Sequence, residues 1–193
     1  IVMYLGSILS HSGLEVILNS MPNILKKIPN FKLLLVGDGP NLLSLKQQAK
    51  KLGIYEKIIF TGFVPYKEVP KFCSLANLCI NSFRINDMTV KLSPVKIFDF
   101  MSCAKPVLAT PLKGMLHDFP KDSETIIYES LDNFEEKIIS LLQSECLEEI
   151  GERGKEEEIH DLLRVIFKST DAELILRTFD KTNLNFDEIK IWI

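Results

Sequence analysis

Short, largely apolar runs set between stretches of helical periodicity constrain this chain more than anything else in it. IVMYL (residues 1–5), FKLLLV (31–36), KIIF (57–60), LCIN (78–81), PVLA (106–109) and TIIY (125–128) all recur in this way. FKLLLV is too apolar for a sheet with one wet face, so it reads as a strand buried on both sides. Between the runs lie apolar positions at helical spacing. Leu14, Val16, Ile17, Met21, Ile24, Leu25 and Ile28 mark one helix. Pro22 falls inside it and predicts a kink or a broken first half. Residues 41–52 form a second helix and 66–75 a third, with Pro70 as an irregularity. Residues 131–142 form a later one, started by Asp132 and Asn133. Strands alternating with helices imply an α/β fold whose parallel sheet is covered on both faces, and right-handed crossovers make it a Rossmann-like open sheet. Gly6-Ser7, Gly37-Asp38-Gly39, Gly62-Phe63 and the loop 82–93 all follow strand ends. They should gather at one edge, where such sheets bind ligands.

The densest pattern is SPVKIFDFMSCAKPVL at residues 93–108. Ser93 is a good N-cap and Pro94 suits the first helical position. Val95, Phe98 and Met101 recur at helical spacing, and Ala104-Lys105-Pro106 ends the helix because the residue before a proline disfavours the helical region. A helix starting at Ser93 points free N–H groups and a positive dipole end at the ligand edge, which suits an anion. Asp99, one turn in, sets a carboxylate at the rim, where it fits hydroxyls beside a phosphate, such as a ribose; the alternative is a solvated carboxylate. Lys91 and Lys96 flank the helix start against its dipole. For them, pairing with a diphosphate stands beside an ordinary solvated lysine.

These residues carry a family resemblance. The segment resembles the donor-site motif of group 1 glycosyltransferases, retaining GT-B enzymes that use nucleotide sugars, many of which read S-P-L-K-[LI]-[FY]-E-[YF]-M-A-C-G-K-P-V-[VL]. The resemblance runs from Ile1 to about Lys155 and covers only the C-terminal, donor-binding lobe. Gly37-Asp38-Gly39-Pro40 resembles the family's V-G-D-G-P loop, where glycine lets the backbone approach a ligand closely; a plain tight turn is the other reading. Phe63 and Val64 in FTGFV resemble the loop against the nucleotide base, unless Phe63 is core. The resemblance implies a ribose role for Asp99 and donor contacts from Gly6, Ser7, Gly37, Asp38, Gly39, Phe63, Val64, Lys91, Ser93 and Lys96. It implies no catalytic residue that can be named here. Three positions depart from the family. Lys91 stands where many members have a glutamate eight positions before the ribose acid. Ser7 and Ser12 stand where members commonly carry an arginine and a lysine for the diphosphate. His11 is a remnant of the histidine some members have there, or an exposed loop residue.

Composition bounds the reading without deciding it. The chain has 193 residues and a formal net charge of −3, enough for one domain with a short appendage and a poor match to nucleic acid as main partner. Cys73, Cys79, Cys103 and Cys146 show no metal-ligand spacing and read as free thiols in a reducing cytoplasm. No apolar run nears the ~20 residues of a membrane span. The sequence opens inside a strand without an initiator Met, so it reads as a piece of a longer protein. The expected organisation is a nucleotide-sugar-binding domain over residues 1–155 and a divergent tail over 156–193, with a helix at 172–179 and a short strand or unpaired end at 186–193. The expected function is the donor lobe of a glycosyltransferase moving a sugar, with retention, from a UDP- or GDP-type donor to an acceptor hydroxyl. No cofactor or metal is called for, and the donor is the substrate. The acceptor site, and any membrane association, would belong to an absent N-terminal lobe or a separate subunit. A non-catalytic nucleotide-binding or degenerate interaction module stays open beside this, and a GT-B epimerase more remotely.

Overall fold

The computed structural model describes residues 1–121 and 126–156. Ile1–Lys155 forms one compact unit. Six strands, β1 (Val2–Leu5), β2 (Leu33–Val36), β3 (Ile58–Gly62), β4 (Leu78–Asn81), β5 (Val107–Ala109) and β6 (Ile126–Tyr128), make one sheet in the order β3-β2-β1-β4-β5-β6. Every pairing is parallel. The order reverses between β1 and β4. There the crossovers leave the sheet in opposite directions, which opens a crevice at the carboxyl ends of those strands.

The period of two in β1 assigns its side chains to two cores. Val2 and Tyr4 face a core that includes Leu35, Ile80 and the buried side of α1 (Leu14–Lys27), with Phe134 and Ile138 of α6 (Phe134–Leu142). Met3 faces the other, with Leu34, Cys79, Cys73 of α3 (Val69–Leu75), Ile97 and Phe100 of α4 (Lys96–Ser102) and Met115 of α5 (Lys113–Asp118). α2 (Leu42–Lys51) packs beside α1. Each fully buried Leu, Ile or Phe contributes roughly 1.5–3 kcal/mol, so the sheet is held from both faces.

Four helices differ from their sequence outlines. The one expected at 131–142 starts as a 3-10 turn, Leu131–Asn133, and becomes α-helical at Phe134. α1 runs unbroken through Pro22, because the buried stripe Leu14, Ile17, Leu18, Met21 and Ile24 holds both halves against the sheet. The expected helix at 66–75 starts as a 3-10 turn, Tyr66–Glu68, and becomes α-helical at Val69 with Pro70 in its first turn. α4 begins at Lys96, three residues after Ser93. Its first turn is tightened by Ile97 N–H donating to Pro94 O at 3.1 Å and Phe98 N–H to Val95 O at 3.0 Å. No side chain caps it, since the Ser93 hydroxyl is buried beside α5. At the other end Ala104 takes φ 52, in the left-handed region, while Lys105 N–H returns to Phe100 O at 2.9 Å. Residues 147–156 are helical. The expected helix at 172–179 and the strand or unpaired end at 186–193 lie outside the described residues.

Candidate functional site

Three strand ends, the start of α3 with its preceding turn, and α4 build a cavity of about 420 Å³ at the carboxyl edge of the sheet. Its floor is backbone. Gly6 N–H donates to Val36 O at 2.9 Å, and Gly37 N–H to Gly62 O at 3.0 Å, which draws the loops after β1, β2 and β3 together. Gly37 has φ 138, and a Cβ there would lie 2.1 Å from Gly6 O. The approach of the two loops therefore requires glycine at this position. Gly6, Ser7, Gly37 and Asp38 line one side, Phe63 and Val64 the mouth, and Lys96 and Asp99 the side made by α4. Eight of the residues singled out in the sequence thus share one cavity.

Lys96 decides the electrostatics. It is only 9 % exposed. Its ammonium lies 4.0 Å from the centroid of Tyr4 and 4.4 Å from that of Phe83. No carboxylate pairs with it among the described residues. Burial pushes its pKa down to about 7, while the ring faces favour the cation. It is not the solvated lysine that was the alternative. A phosphate entering this cavity would meet a partly desolvated cation whose attraction is little screened.

Asp99 is held as well as placed. The Tyr66 hydroxyl donates to its Oδ1 at 2.6 Å, and both side chains line the cavity. Phe63 is 80 % exposed, so it is not core. A flat apolar ring at the mouth can take a base by stacking.

Three expected contacts lie outside the cavity lining. Gly39 packs against the Ile8 backbone, where a Cβ would come within 2.4 Å of Ile8 O, and Asp38 Oδ1 takes the Gly39 N–H at 2.7 Å. Its glycine serves loop packing. Lys91 is exposed, and its carbonyl packs on Gly114 at the start of α5. Ser93 Oγ is buried and meets no hydrogen-bond geometry, yet lies near enough to Asp118 to be the first cause, ahead of His117, of that carboxyl's lowered pKa. This pulls Ser93 toward α5 and away from a capping role.

Ser12 shows why its position needs no cation for folding. It is fully buried, and its Oγ accepts from Leu9 N–H at 2.9 Å and from the Tyr4 hydroxyl at 3.1 Å. Burial pushes Tyr4 up to about 12, with the Ser12 contact acting the other way. His11 packs edge-on against Phe83 with ring centroids 5.4 Å apart, so it contacts the ring that Lys96 faces. No disulfide joins the cysteines among the described residues; the neighbouring Cys103 thiol and then burial push Cys73 up, and burial pushes Cys79 up, which makes both poor nucleophiles. Sequence reasoning missed Tyr4, Phe83 and Tyr66. A tyrosine inside an apolar strand was the available signal for the first, since a buried hydroxyl needs a partner.

A larger cavity, of about 640 Å³, lies at the opposite end of the sheet among Ile1, Phe31, Asn77, Pro106 and Leu147. It gathers strand starts and helix ends, away from the crevice where open α/β sheets bind ligands.

Comparison with known proteins agrees with this architecture. Residues 1–157 match the family described as glycosyl transferases group 1, and the chain belongs to that family. It is 25% identical over 111 residues to the GDP-mannose-dependent alpha-(1-6)-phosphatidylinositol monomannoside mannosyltransferase of Mycolicibacterium smegmatis, a match covering 56% of this chain and 29% of that protein. The chain therefore spans less than a third of that relative's length. Among solved structures, Anabaena Alr3699/HepE in complex with UDP superposes with a TM-score of 0.70 at 16% identity, over 94% of this chain and 47% of that one. The C-terminal domain of the group 1 protein LpcC from Francisella tularensis superposes with a TM-score of 0.65 at 21% identity, over 80% of this chain and 82% of that domain. The fold is theirs: a Rossmann-like sheet of the GT-B type.

Proposed function

We propose that this chain is the donor-binding lobe of a glycosyltransferase that moves a sugar from a nucleoside diphosphate sugar to an acceptor hydroxyl with retention. The observation that carries the reading is the convergence of a caged lysine, a held carboxylate and a glycine floor in one cavity at the topological switch point. The base would lie against Phe63 and Val64, the ribose hydroxyls would donate to Asp99, and the diphosphate would sit over Gly6, Ser7 and Lys96. In such a reaction the protein mainly positions the donor and stabilises charge developing on the leaving diphosphate. Lys96 is suited to that, because a cation in a partly dry site is stronger there than in water. The complex of HepE with UDP and the GDP-mannose dependence of the mycobacterial relative are the comparisons that support a nucleotide donor. The acceptor would be held by a second lobe or a separate subunit, so this lobe alone binds nucleotide without turnover.

One observation favours a second reading, a degenerate module that no longer binds a donor. Ser7 and Ser12 occupy the two cationic positions of the family, and Ser12 is committed to internal hydrogen bonds. Calorimetric titration with UDP and GDP decides. Saturable binding of either below millimolar concentration supports the donor lobe, and no binding of either at millimolar concentration supports the degenerate module.

A further inference from the structure

Asp99 carries a shorter side chain than the glutamate usual at its position in the resembling motif, and in this structure it does not stand alone. Tyr66 opens the 3-10 turn Tyr66–Glu68, directly after Pro65, whose φ −57 and ψ 139 turn the chain out of the β3 loop. The ring is 74 % exposed. It contributes little burial there, and an aromatic ring gains nothing from that exposure itself. Its hydroxyl reaches Asp99 Oδ1 at 2.6 Å, a contact joining the segment before α3 to the first turns of α4 across 33 residues of chain. Tyr66, Asp99, Phe63 and Val64 all border the same cavity.

We propose that Tyr66 is a positioning residue for Asp99: by donating to Oδ1 it fixes the carboxylate so that Oδ2 faces the cavity and accepts from a vicinal diol of the bound nucleotide. This rests on the donor-site reading above. A free aspartate on a helix turns among its rotamers, and holding it removes that freedom before the ligand arrives. The hydrogen bond to an ionised acceptor is of the stronger kind. A site arranged around a diol also rejects a ligand that lacks one, because the held carboxylate is then left without its donor.

The test uses the whole chain, with UDP, GDP and their 2′,3′-dideoxy counterparts, titrated calorimetrically against the parent, Tyr66→Phe, Asp99→Asn and the double variant. Tyr66→Phe keeps the ring, so unchanged melting temperatures are expected. It should weaken the tighter-binding ribonucleotide about threefold to tenfold, leave the dideoxy form unchanged, and have no further effect once Asp99 is Asn. Equal weakening of both sugar forms overturns the inference, because the hydroxyl then acts other than through the ribose, and no weakening at all overturns it by leaving only the ring. A parent chain that binds ribo and dideoxy forms alike removes Asp99 from the ribose and this role with it, while keeping the nucleotide site. A parent chain that binds neither nucleotide overturns the donor-site reading itself.

Discussion

Lys96→Met separates what the aromatic cage costs in stability from what it supplies to a ligand. Methionine has nearly lysine's reach, packs well against rings and carries no charge. The parent ammonium is 9 % exposed and its pKa is pushed from 10.5 to about 7 by burial. At 1.36 kcal/mol per unit, the charged form is disfavoured by about 5 kcal/mol, of which the two ring faces offset roughly 1–2 kcal/mol. The folded pKa lies below the unfolded one. Between about pH 7 and 10.5 the unfolded chain therefore holds a proton that the folded chain lacks, and stability rises with pH through that window. Below it the cost is fully present. Between pH 6.5 and pH 9 this lysine alone should raise the parent's stability by about 2–3 kcal/mol, read by urea unfolding as the change in the difference between parent and variant. Lys96→Met should be about 2–4 kcal/mol more stable than the parent at pH 6.5, with most of that advantage gone at pH 9. The Ile1 amino group, lowered by burial, titrates in the same sense, and the raised Cys73 and Cys79 thiols titrate in the opposite one, but all three are common to both proteins and cancel in their difference. The same variant should lose on the order of tenfold to a hundredfold affinity for UDP and GDP while uridine and guanosine are held as before. Parallel stability curves would refute the buried charge. Diphosphates bound as tightly as by the parent would remove Lys96 from the phosphates.

Other substitutions separate binding from folding elsewhere. Phe63→Ala should leave stability within about 0.5 kcal/mol, since the ring is 80 % exposed, and should lower UDP or GDP affinity by about 1 kcal/mol or more in the same titration if a base stacks there. Gly37→Ala should destabilise by about 1–3 kcal/mol or more in chemical unfolding, because φ is 138 and the new Cβ meets the Gly6 carbonyl; an unchanged midpoint would mean that the two loops part freely. Ala104→Gly should stabilise by about 0.5–1 kcal/mol, read as a rise in melting temperature, because Ala104 holds φ 52 at the end of α4, where glycine takes no strain.

The strands were legible because burial on both faces favours apolar residues in unbroken succession, so the LLLV of FKLLLV and the LCI of LCIN declare themselves. The clustering of the glycine turns followed from topology alone: in a parallel sheet every strand end lies at the same edge. The start of α4 was misread because capping chemistry is local while Ser93 answers to a tertiary neighbour. Its hydroxyl is buried beside α5, and Pro94 supplies a carbonyl to the first turn instead of occupying it. Pro22 was overweighted for a related reason. One missing N–H costs less than the buried stripe of α1 returns. At the site, Asp99 and Phe63 could be named but not their surroundings. Tyr66 lies 33 residues from Asp99 and Tyr4 lies 92 from Lys96, and no spacing rule links positions brought together only by the crossovers.

The departures from the family and the placement of Lys96 bear on each other. Without cations at positions 7 and 12, a diphosphate would find one strong positive centre, and a solvated lysine would supply little of it, because water screens its charge. A caged lysine differs in two ways. It is held by two ring faces, so little side-chain entropy remains to be lost on binding, and its charge is expensive until an anion arrives. Binding a diphosphate would raise its pKa again, so above pH 7 association should take up a proton, and affinity should fall by up to tenfold for each further pH unit. Titration of UDP or GDP in two buffers of different ionisation enthalpy at pH 8 measures that uptake directly. A value approaching one proton, abolished in Lys96→Met, is the expected result. Uptake that persists in the variant would place the titrating group elsewhere and leave the missing cations uncompensated.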